Sequence, residues 1–83
     1  MRYLKTLPHS RLKIDLFSWN NKYIVKLESG PYEQTYKVAE FDVAGIADVE
    51  ALLTPEFLEQ VQVRFQHMDA DWSRALATDE DLT

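Results

Sequence analysis

The chain has no cysteine, only two glycines and two histidines, and no long apolar run among its 83 residues, and each scarcity removes a class of function. Without cysteine there can be neither a disulfide framework nor a thiolate metal site. Gly30 and Gly45 stand alone, so there is no glycine-rich loop to cradle a phosphate. His9 and His67 lie in unrelated settings. His67 stands four residues before Asp71 and could share a helix face with it, a spacing that is far more often a surface pair than a metal site. Ser10, Ser18, Ser29 and Ser73 lack the surroundings of an activated nucleophile, and Asp79-Glu80-Asp81 crowd into the tail. The reading is therefore of a protein that is not an enzyme, with no catalytic residue, no metal and no cofactor.

No stretch approaches the roughly 18 apolar residues of a membrane span. The opening Met1-Arg2-Tyr3-Leu4-Lys5 lacks a signal-peptide core, so the expectation is a cytoplasmic protein with no membrane association. At 46% hydrophobic and 28% charged residues the chain has the mass to fold as one small domain. A single core of this size supplies only about 3–5 kcal/mol, so a partner subunit would help.

The net charge of −5 hides a division. Residues 1–41 hold seven Lys/Arg against four acids (+3), whereas residues 42–83 hold two against ten (−8). Such halves can attract one another within a fold or between copies.

The strongest positive signal is a hairpin. Two alternating runs, 11–19 and 22–28, flank Asn20-Asn21, and asparagine tolerates the positive φ that both central residues of a type I′ turn require. Counting outward pairs Trp19 with Lys22, Phe17 with Ile24, Leu16 with Val25, Asp15 with Lys26, Ile14 with Leu27 and Lys13 with Glu28. Apolar meets apolar and acid meets base. A slip of one residue would undo every pair, so the pattern sets the register.

Residues 1–10 carry Pro8 and predict an extended lead-in along the sheet edge or across the core. A third strand is predicted over 33–40, with Gly30-Pro31 at the loop centre opposing Leu27 to Gln34, Val25 to Tyr36 and, less favourably, Glu28 to Glu33. Beyond Phe41 the period changes. Ile46, Val49, Leu52 and Leu53 predict a short helix over 46–53. Thr54-Pro55-Glu56 then carries the signals of a new helix start, and Leu58, Val61, Phe65, Met68, Trp72 and Ala75 follow in steps of three and four. That predicts a helix over 55–77, with Asp69-Ala70-Asp71 as a candidate break. Val61 to Gln66 also alternates like a strand, but the helical stripe accounts for more positions. Residues 78–83 read as a frayed acidic tail. The fold class is α+β, a three-stranded antiparallel meander followed by C-terminal helices.

With the hairpin leucines and valines turned inward, Lys13, Asp15, Phe17, Trp19, Lys22, Ile24, Lys26, Glu28, Thr35 and Lys37 share the other face. Aromatics among lysines there could be core under the helices, a self-association surface, or a platform for single-stranded nucleic acid. An anionic molecule with acids bordering the patch makes nucleic acid the weakest of these. Phe and Trp bury about 150–250 Å² each, so the patch could remove on the order of 400 Å² and yield roughly 10 kcal/mol gross. Association costs about 4–15 kcal/mol, so further surface must contribute. The helix offers it, because its Met68 and Trp72 end would overhang the strands. The residues selected as a candidate interface are Phe17, Trp19, Lys22, Ile24, Lys26, Met68 and Trp72, in a protein acting through protein contacts, most simply as a homodimer. A binding module for a small molecule or single-stranded nucleic acid is the alternative.

Overall fold

The computed structural model describes residues 1–82, with side chains described through Thr78. Four strands, β1 (Arg2–Leu7), β2 (Lys13–Trp19), β3 (Lys22–Ser29) and β4 (Tyr32–Ala39), form one antiparallel sheet in sequence order. Two helices follow, α1 (Ile46–Leu52) and α2 (Pro55–Leu82), after a short 3-10 turn at Glu40–Asp42. The class is α+β.

The hairpin has the register counted from its sequence, from Trp19 opposite Lys22 to Lys13 opposite Glu28. Asn20 and Asn21 both take positive φ, 52° and 60°, as a type I′ turn demands. The second turn works differently. Gly30 alone has positive φ (58°), and Pro31 follows it, a residue whose ring confines φ to negative values. The β3–β4 register is again the counted one, including Glu28 opposite Glu33.

The strand number corrects the sequence-based expectation of three. The predicted lead-in is a full edge strand, β1, paired with β2. Its alternation is concealed by a bulge between Tyr3 and Lys5, which puts Leu4 and Leu7 on the core side at a spacing no regular strand gives. Beyond Pro8 the chain turns on His9, whose Nδ1 accepts the N–H groups of Arg11 and Leu12, each at 3.0 Å. That histidine is structural.

One face of the sheet carries Ile14, Leu16, Val25 and Leu27, which close against Val49 of α1 and Val61 and Phe65 of α2. Helix α2 starts where its signals place it: the Thr54 hydroxyl accepts the Phe57 N–H at 3.1 Å, and the Thr54 carbonyl accepts the Leu58 N–H at 2.9 Å. Thr54→Ala is expected to cost about 1 kcal/mol by thermal melting, and Thr54→Ser much less. The rival strand reading of 61–66 does not hold, because those residues are helical and Gln34 Nε2 donates to the Val61 carbonyl at 3.0 Å.

The helix is longer than the predicted 55–77 and unbroken. Asp69 and Asp71 do not cap a new helix; Asp69 accepts a hydrogen bond from the Tyr32 hydroxyl and Asp71 pairs with Arg74. At 28 residues α2 is about 42 Å long, against about 26 Å for an eight-residue strand. It therefore overruns the sheet, and every residue from Asp69 to Thr78 is exposed. The molecule measures 52 × 27 × 19 Å, with a radius of gyration of 15.5 Å where about 12 Å is usual for this length. The fraying expected of 78–83 concerns a tail whose side chains from 79 on, and Thr83 altogether, lie outside the described part.

Candidate functional site

The helices pack on one face only, leaving the opposite face of the hairpin uncovered. The candidate residues fall into two groups, one on the uncovered sheet face and one where α2 passes the Gly30-Pro31 turn, which the structure does not bring together.

The first group lies on the uncovered face. Tyr3 of β1 stands opposite Phe17 and meets its ring edge to face, with centroids 5.9 Å apart and planes at 70°. Lys26 extends over the Phe17 ring, its Nζ 5.8 Å from the centroid, and pairs with Glu33 at 3.4 Å. Ile24, set between Phe17 and Lys37 in the pairing, is only 2% exposed although it is no part of the core cluster. Its neighbours on the face cover it, so Ile24 offers little surface of its own. Asp15 is also buried there, accepting a hydrogen bond from Thr6 and lying 3.7 Å from Lys13. Lys22 is exposed, and Trp19, beside the Asn20-Asn21 turn, is 52% exposed.

The second group lies at the Gly30-Pro31 end. Met68 still packs against the core, whereas Trp72 is 54% and Leu76 48% exposed. Pro31, Tyr32, Met68, Asp71 and Trp72 line an open notch between the turn and the helix. The Tyr32 hydroxyl donates to Asp69 Oδ1 at 2.7 Å. That bond, with some desolvation and the charge of the same carboxylate, holds the Tyr32 hydroxyl above its usual 10.0. The tie is therefore lost as pH rises through the raised value.

Several large exposed groups were not singled out from sequence, Tyr3 among them. Phe41 in the 3-10 turn is 86% exposed, and Leu52 at the end of α1 is also open. A lone phenylalanine between a strand and a helix belongs to neither period, so no pattern assigns it a face.

The polar side chains inside the fold are occupied with one another. The Tyr36 hydroxyl donates to Gln34 Oε1 at 2.7 Å, and Arg64 Nη1 donates to the Tyr36 oxygen at 3.0 Å. With the Gln34 bond to Val61, this network satisfies a buried amide and ties β4 to α2. Among the described residues no buried side-chain nitrogen or oxygen lacks a partner, no group of three His, Asp or Glu stands ready for a metal, and no helix is long and apolar enough to cross a membrane. What the arrangement offers chemically is apolar surface fringed by charge. Comparisons with protein-family models, curated proteins and solved structures found no match.

Proposed function

We propose that this chain is a small, non-catalytic, cytoplasmic protein that acts through protein–protein contacts, most simply by pairing with a second copy of itself. The observation that carries this reading is the overrun of α2, whose core-facing stripe continues through Trp72 and Leu76 where no sheet lies beneath it. An apolar stripe held rigidly in solvent is a cost that a partner removes.

Magnitude sets the scale of that contact. Trp72 and Leu76 leave on the order of 200 Å² of apolar surface per copy, so a two-fold contact would remove about 400 Å² and yield roughly 10 kcal/mol gross. Against an association cost of about 4–15 kcal/mol, the stripe needs help from other exposed groups. Tyr3, Trp19, Phe41 and Leu52 are among the available ones.

The test is sedimentation velocity of the wild type beside Trp72→Ala with Leu76→Ala. The wild type is expected to dimerise at tens of micromolar and the double variant to be monomeric, with a melting temperature set by the monomer alone. Both residues are too exposed for their loss to unfold the domain.

A second reading takes the uncovered sheet face as a platform for a small molecule or single-stranded nucleic acid, and Tyr3 favours it by adding a third aromatic beside Phe17 and Trp19. Binding of that kind to nucleic acid fades steeply with salt, whereas an aromatic protein contact persists.

A further inference from the structure

The last strand of the sheet, β4, has one side paired and the other bare. In a hairpin closed by two residues, the pairs Ser29–Tyr32, Leu27–Gln34, Val25–Tyr36 and Tyr23–Val38 exchange backbone hydrogen bonds. The N–H and C=O groups of Glu33, Thr35 and Lys37 consequently point away from β3. Among the described residues no strand and no other backbone group meets them. The opposite edge is protected differently, since β1 is shorter and carries a bulge and Lys5. The β4 ladder is regular over all eight residues.

We propose that β4 pairs antiparallel with β4 of a second copy about a two-fold axis through Thr35, giving one continuous sheet across the dimer. This inference rests on the self-association reading and adds the surface and the register. With Thr35 on the axis, Thr35 faces Thr35, and Glu33 of each copy faces Lys37 of the other, two opposite-charge pairs from one strand. An axis through Glu33 or Lys37 would set like charges face to face. An axis through Gln34 or Tyr36 would oppose neither charge with its complement.

The same axis gathers the exposed apolar groups. Helix α2 runs antiparallel to β4: Phe57 meets Tyr36 with ring centroids 5.3 Å apart, Val61 takes the Gln34 bond, and Asp69 takes the Tyr32 bond. Two-fold pairing through Thr35 therefore brings the overrunning end of each α2, with Trp72, level with Val38 and the α1–α2 corner of the other copy. Phe41, two residues past the end of β4, comes level with the opposing Gly30-Pro31 turn and its notch of Pro31, Tyr32, Met68 and Trp72. Groups that look unrelated on one copy become neighbours across the pair.

A cysteine-free chain allows a direct test. Hydrogen-bonded residues facing each other in antiparallel strands have Cα atoms about 5.5 Å apart, inside the range of about 4.4–6.8 Å that a disulfide spans. Thr35→Cys is expected to form a covalent dimer under mild oxidation, and Arg2→Cys, also exposed but on the opposite edge of the sheet, is not. Thr35→Pro removes an N–H that faces the bare edge rather than β3, so the monomer is expected to keep its far-ultraviolet circular dichroism while association weakens roughly tenfold or more. If the wild type dimerises but Thr35→Cys cross-links no faster than Arg2→Cys, or folded Thr35→Pro associates like the wild type, the edge geometry is wrong and self-association stands. A monomeric wild type overturns both.

Discussion

Leu27→Ala is expected to leave the protein largely unfolded at physiological temperature. Leu27 is fully buried between the two middle strands and the helices. Truncating such a leucine costs about 2–5 kcal/mol through lost burial and the cavity left behind. A domain of this size holds only about 3–5 kcal/mol in total, so the loss is comparable with the whole. The measurement is urea unfolding followed by circular dichroism, with Trp19→Ala as the control. Trp19 is half exposed and should shift stability by no more than about 0.5 kcal/mol if the protein is monomeric under the conditions of the melt. A Leu27→Ala variant that unfolds at nearly the wild-type midpoint would contradict the placement of the core.

The second large effect is expected at the Asn20-Asn21 turn. Both residues hold positive φ, which costs a residue with an ordinary Cβ about 1–2 kcal/mol. Replacing both by alanine should therefore remove about 2–4 kcal/mol, most of the available stability. Asn21→Gly should instead match or exceed the wild type, since glycine adopts that conformation without strain. Guanidinium midpoints for the two variants decide the matter. Equal midpoints would mean that the turn is dispensable and the strands alone set the register.

That turn also explains why the hairpin could be read from sequence. A two-residue reversal leaves no freedom in the count, and a pleat forces every second side chain to one face, so a single correct pair fixes the rest. The β3–β4 pairing followed for the same reason from Gly30-Pro31. Strand β1 escaped because its bulge removes the alternation by which strands are recognised, while Pro8 argued against a ladder. The predicted break at Asp69-Ala70-Asp71 rested on capping preference. In the fold both aspartates project into solvent with other partners, so the helix continues through them.

The candidate surfaces were legible as residues but not as places. Both faces of the hairpin carry large apolar side chains, and parity cannot say which face the helices will choose. Only the packed structure shows Phe17 and Trp19 on the uncovered side and Ile24 hidden beneath its neighbours. The overhang of α2 was legible because it follows from length alone, a helix rising about 1.5 Å per residue against strands too short to match it. Phe41 and the bare side of β4 were not, because a strand's edge position depends on how many strands form and on which comes last.

We propose that the exposed apolar surface of this chain meets another copy. Sedimentation equilibrium of the untagged wild type at tens of micromolar, in low and high salt, tests it most directly. The expected mass approaches twice the 9.7 kDa of one chain and persists at high salt. A mass of one chain in both conditions would contradict it.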